Sequence, residues 1–112
     1  MKKIINLDVT NNSEFLINCA IDKISNFGKE LEINHIEIVW ESLTGTHNGT
    51  IKLSNISDFS ETEIETININ NSDDSKIIFL NNYLGKIKLE YTANLIASGE
   101  IRLIIYWRKK CS

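Results

Sequence analysis

Apolar and polar residues alternate with a period of two along most of this chain, and over those residues that period fits strands and not amphipathic helices. In Lys86 to Tyr91, Ile87, Leu89 and Tyr91 point one way, with Lys86, Lys88 and Glu90 opposite. In Glu100 to Arg108, Ile101, Leu103, Ile105 and Trp107 share one face, and Arg102, Ile104, Tyr106 and Arg108 the other. His35 to Glu41 sets Ile36, Ile38 and Trp40 against Glu37, Val39 and Glu41, and Thr50 to Ser54 turns Ile51 and Leu53 inward with Lys52 outward. Glu65 to Ile69 and Lys76 to Leu80 read as two further strands, the second apolar enough to be covered on both faces. Lys3 to Val9 reads as an edge strand, so residues 1–10 are an N-terminal arm or edge. The 20 isoleucines reinforce all this, because β-branched side chains fit a pleated, half-buried surface.

Turn chemistry separates the segments. Gly45 and Gly49 bracket the loop Thr44 to Thr50, whose Asn48-Gly49 suits the positive-φ positions of a tight turn. Asn70 to Ser75 and Asn81 to Gly85 are polar connectors, and Ser98-Gly99 closes the last hairpin. A chain of 112 residues is one domain, 1–112, large enough to hide roughly 65% of its unfolded surface. The expected fold is all-β: a two-sheet antiparallel sandwich of about seven or eight strands, jelly-roll or immunoglobulin-like. One segment is open to two readings. Asn12-Ser13 could cap a helix with the stripe Ile17, Ala20, Ile21 and Ile24, stopped at Gly28. The alternative, a strand at Phe15 to Cys19 followed by a polar turn, is preferred because Ile-rich, Asn-containing sequence is a mediocre helix former.

Bulk properties exclude several functions. A net charge of −3 and scattered cations, ten Lys and two Arg, argue against a nucleic-acid binder, which replaces phosphate counterions with a cationic surface. The longest uninterrupted apolar run, Leu103 to Trp107, is far too short to span a membrane. Met1-Lys2-Lys3 before Ile4-Ile5 imitates the start of a secretion signal, but Asn6, Asp8, Asn11 and Asn12 interrupt any apolar core for it. Cys19 reads as a small core residue and Cys111 as an exposed one, in a reducing compartment.

A search for chemistry finds little. Of the two histidines, His35 reads as a strand-end residue and His47 as a loop residue able to touch a partner. No His-x-x-x-His, Cys-x-x-Cys, Gly-x-Ser-x-Gly or Walker A pattern occurs, and Gly45-Thr-His-Asn-Gly49 lacks the lysine of a phosphate loop. Glu37 and Glu41, and Glu61, Glu63 and Glu65, alternate outward as solvated faces. Asp73-Asp74 with Asn70 and Asn71 lacks the spacing of a calcium loop. Trp40 and Trp107 fall in phase with their strands' apolar faces and read as core. Tyr106 is out of phase and Phe59 lies in a loop, so both are candidates for surface contact. The expectation is a non-enzymatic protein with no cofactor and no metal.

The stretch Ile36-Glu-Ile-Val-Trp40-Glu-Ser-Leu-Thr-Gly45-Thr-His-Asn-Gly49-Thr-Ile-Lys-Leu-Ser-Asn55-Ile-Ser-Asp58 resembles small β-sandwich virion structural proteins of tailed bacteriophages. In these a strand ending in Trp-x-Gly-Thr precedes Gly-Thr, an alternating strand and a Ser-x-Asp turn. Their closing Ser-Gly turn and alternating strand are similar to Ser98-Gly99-Glu-Ile-Arg-Leu-Ile-Ile-Tyr106, and Cys19 to Ile24 is similar to their lead-in. Here no Gly follows Asp58, and Phe59 stands where a Trp tends to occur. The resemblance implies a capsid, neck, tail or fibre component, located in the virion after assembly in the host cytoplasm. Its partners would be other virion proteins and further copies of itself, with no nucleic acid or membrane. Partner-binding residues would lie in the loops, at Thr44, His47, Asn48, Asp58 and Phe59. The alternative is a carbohydrate-binding module for host or polysaccharide attachment, and a third reading is a small cytosolic adaptor or inhibitor.

Overall fold

The computed structural model describes residues 2–18, 31–45, 49–57, 59–70, 72–83 and 86–109. Eight strands follow in chain order: β1 (Lys2–Asn6), β2 (Ser13–Asn18), β3 (Leu31–Gly45), β4 (Gly49–Ile56), β5 (Glu61–Ile69), β6 (Asp74–Tyr83), β7 (Lys86–Thr92) and β8 (Ile96–Lys109). They form two antiparallel four-stranded sheets, sheet A in the order β1-β8-β3-β6 and sheet B in the order β2-β7-β4-β5. The first strand thus pairs with the last, the second with the seventh, the third with the sixth and the fourth with the fifth. A chain doubled at the β4–β5 turn and rolled up on itself gives this nested pattern. It is a jelly roll, not the immunoglobulin arrangement, whose sheets order the strands differently.

Alternation turns one side of each strand inward, and the two inner faces meet as a single core. From sheet A come Ile33, Ile36, Ile38, Trp40, Ile78, Ile101, Leu103 and Ile105; from sheet B come Ile17, Ile51, Leu53, Ile67, Ile69, Ile87, Leu89 and Tyr91. Burying each such aliphatic side chain contributes about 1.5–3 kcal/mol, which makes the isoleucine content the main source of stability. Trp40 is buried as expected, whereas Trp107, near the end of β8, is half-buried against the core's margin.

The long central strand β3 keeps its face only by breaking step. Ile33 and Ile36 both point inward despite their odd spacing, because the register with β6 and β8 shifts between Ile33 and His35. A β-bulge absorbs one residue there. His35 therefore lies well inside a strand and does not open one. A second shift follows Glu41, where Ser42 takes a positive φ of 58° and brings Leu43 back into the core.

Two turn expectations need correction. Ser98-Gly99 does not close a hairpin: both residues lie within β8, and the β7–β8 connection crosses between sheets at Ala93 to Leu95. Gly99 instead sits opposite the Ser42 irregularity with φ +123°, where a Cβ would come within 2.8 Å of the Leu43 Cα and the Ser42 carbonyl oxygen. Between β3 and β4 the left-handed glycine is Gly45, at φ +104°, and not Gly49. At the N-terminal side, β2 realises the strand expected from Phe15, in place of a helix capped at Asn12-Ser13. Cys19, the continuation to Gly28, and Cys111 lie outside the described residues.

Candidate interaction face

Each sheet leaves one face outward, and the two outer faces differ in chemistry. On sheet B the centre is ionic. The Lys88 Nζ lies 3.2 Å from Glu61, 3.4 Å from Glu90 and 3.7 Å from Glu14. It reaches Glu61 diagonally across β4, past the small, buried Ser54 that pairs with Lys88 on one side and Glu63 on the other. This contact holds the Glu61 carboxyl below its ordinary value of 4.5 and raises the Lys88 ammonium above 10.5, Lys88 and Glu61 being the largest influence on each other. Among the described residues, exposed large apolar side chains on this sheet, Leu16 and Ile64, are confined to its two edge strands, β2 and β5.

The outer face of sheet A is apolar and aromatic. One cross-strand row runs Lys2, Tyr106, His35, Phe79 from β1 to β6. The next runs Ile4, Ile104, Glu37, Ile77, and a third Asn6, Arg102, Val39, Ser75. Ile4, Ile77 and Phe79 are 48%, 44% and 69% exposed, and no strand among the described residues lies over them. The apolar character of Lys76 to Leu80 on both faces, which suggested a doubly covered strand, belongs to an edge strand covered on its inner side only. Ile4, Ile104 and Ile77 lie in the row beside Tyr106 and Phe79, and an apolar patch of this kind on a single domain is often functional.

At its centre the rings are ordered. His35 stacks on Tyr106 with centroids 4.3 Å apart and planes 21° apart, and Phe79 closes on its other side at 5.8 Å and 46°. The Asn34 amide lies 3.2 Å from the His35 Nδ1. Tyr106 on β8 thus stacks on the imidazole from one side of β3, and Phe79 on β6 lies tilted beside it on the other and largely exposed. Glu37 lies between Ile104 and Ile77 and forms no ion pair among the described residues. Arg102, at the margin, donates to Glu41 at 2.8 Å, which offsets the like-charge pairing of Glu41 with Glu100 across β3 and β8.

Of the loop residues singled out from sequence, Thr44 and Phe59 lie among the described residues, near opposite ends of β4. Thr44 is at the end of β3, its hydroxyl bonded to that of Ser98 on β8. Phe59 is fully exposed in the β4–β5 turn, which Ser57 fixes by donating its N–H to the Ser60 carbonyl at 2.9 Å, with the two hydroxyls 2.8 Å apart. The eight residues of β4, at about 3.3 Å each, separate these two ends by roughly 26 Å. His47, Asn48 and Asp58 lie outside the described residues.

Other candidate chemistry is already engaged in structure. The Asp73 carboxylate accepts from the Ser42 N–H at 2.8 Å, Asp74 from Ser75, and Asn70 from Ser72. No group of three or more metal-binding side chains occurs among the described residues. A shallow depression of about 350 Å³ is lined by Asn12, Ser13, Glu14, Glu90, Tyr91 and Thr92. Its best polar groups are spent inward: Tyr91 donates to the Val9 carbonyl and Asn12 accepts from the Ala93 N–H.

Sequence reading found Tyr106 on this face but missed His35, Ile77, Phe79 and Ile4. The available signal was the half-apolar second face of Glu100 to Arg108, taken together with Lys76 to Leu80. No protein-family model matches the chain, and no curated protein and no solved structure matches it.

Proposed function

We propose that this chain is a non-enzymatic structural subunit of a phage particle that docks on other particle proteins through the outer face of sheet A. The observation that carries the docking is the contrast between the centres of the two outer faces: a lysine among carboxylates on sheet B, and isoleucine beside stacked aromatic rings on sheet A. An apolar and aromatic face with Glu37 in its middle row and Lys2 and Arg102 towards its margins supports docking on a protein partner. The particle assignment adds fold-level analogy, since jelly rolls recur in viral capsid and lectin domains, and the resemblance carried by Ile36 to Asp58.

The glycan-binding alternative would rest on Phe79, an aromatic side chain 69% exposed beside the stacked His35 and Tyr106.

The test is incorporation. Ile104→Lys puts a cation beside Glu37 on the outer face, so the fold tolerates it while the apolar surface is broken. Purified particles carrying this variant should lose the protein in quantitative mass spectrometry. Absence of the wild-type chain from particles, or full incorporation of the variant, would overturn the reading. Replacing Thr44, His47, Asn48, Asp58 and Phe59 together gives the same readout for the loops.

A further inference from the structure

A sheet of four strands has two edges, and proteins guard such edges with charge or brevity because an unpaired strand invites another. Three of the four edges here are guarded. On β1 there are five residues headed by Lys2 and Lys3. On β5 stand Glu61, Glu63 and Glu65, and β2 has six residues including Glu14. On β6 the guard is confined to the start of the strand, where Asp74 accepts from the Ser75 N–H. The strand runs for ten residues, pairs with β3 on one side, and has no strand on the other among the described residues. Its lone lysine, Lys76, is drawn aside to Glu65 at 3.3 Å, and the chain contains no proline to interrupt pairing. Beyond it come Ile77, Ile78, Phe79 and Leu80, with Ile77 and Phe79 exposed on the outer face.

We propose that two copies of this chain pair through β6, antiparallel about a two-fold axis at Ile78, joining the two A sheets into one of eight strands. Self-pairing follows from the sequence of the strand. With Ile78 opposite itself, Ile77 faces Phe79 of the second copy and Phe79 faces Ile77, both on the outer side, which is a favourable β-branched and aromatic cross-strand pair. The polar start of the strand, Asp74 and Ser75, falls opposite the polar positions Asn82 and Asn81. A contact of this kind is isologous and closes at two copies, and the charged remaining edges stop further growth. The outer faces become continuous, so the docking surface doubles. The proposal rests on the reading of sheet A as the adhesive sheet, yet it is tested by mass in solution, whereas docking is tested by incorporation.

The experiment is light scattering on the purified full chain from about 10 μM to about 1 mM, the range expected for a small edge contact, with hydrogen exchange at both limits. The mass should rise from 12.8 kDa towards twice that value, and amide protection from Asp74 to Leu80 should rise with it while β1, β2 and β5 stay unchanged. Phe79→Lys should remain at 12.8 kDa with a wild-type circular dichroism spectrum; if it misfolds, Ile77→Lys serves. A monomer at the highest concentration, a dimer protected on another strand, or a folded lysine variant that still dimerises would each overturn the proposal. A dimer with intact β6 protection that fails to enter particles would count against the docking reading alone.

Discussion

Tyr91 ties one end of the sandwich shut. Its hydroxyl donates to the Val9 carbonyl at 2.7 Å from a buried position, joining β7 to the segment between β1 and β2. Burial, with the Asp8 carboxylate adding to it, pushes the phenol from 10.0 up to about 12. The native state therefore holds this proton through a window where an unfolded tyrosine releases it. The stabilisation is complete below about 10 and is lost as pH rises towards about 12. Tyr91→Phe leaves the Val9 carbonyl unpaired and should cost about 1–3 kcal/mol at neutral pH, measured by urea unfolding. The difference between wild type and variant should shrink across that alkaline window; a constant difference would mean that the phenol's proton is not what stabilises the fold. Asp8 shows the opposite shift at the surface: accepting from the Asn11 side chain and from Thr10, its carboxyl is held below 3.8.

Among elements, β7 is the organiser of sheet B because Lys88 binds acids on β2, β5 and β7 itself. Glu61, held below its ordinary value of 4.5, contributes above that value and loses its contribution as pH falls through the lowered one. Lys88→Met should thus lower the melting temperature at neutral pH, with the difference from wild type vanishing in acid well below 4.5. Strands β7 and β8 were readable from sequence because their alternation is nearly unbroken. The full length of β3 was not: the bulge between Ile33 and His35 and the turn of backbone at Ser42 each reverse the phase, and periodicity cannot see a residue absorbed by a bulge. Gly99 misled for a related reason, since a positive-φ glycine serves a kink inside a strand as well as a turn. Alternation also separates two faces without saying which one a second layer covers. Ile77 and Phe79 therefore read as covered when they stand in water, and most of the candidate face stayed hidden while Tyr106 was found.

For the whole molecule the nested pairing is decisive. Bringing β1 to β8 joins Ile4 to Ile104, near opposite ends of the described chain, and only the β4–β5 pair is a local hairpin. Loop closure of this length has to be completed before the contacts that reward it form. Stopped-flow refolding should accordingly show a main phase on the order of milliseconds to seconds, as for other non-local β folds; microsecond folding would contradict the pairing order. That same nesting decides how the domain bears load. Lys2 lies beside Tyr106, so a force drawing Lys2 and Lys109 apart peels β1 from β8 one rung at a time and never shears the whole ladder at once. Held at Lys2 and Lys109, this sandwich is a zipper with the pull tab exposed.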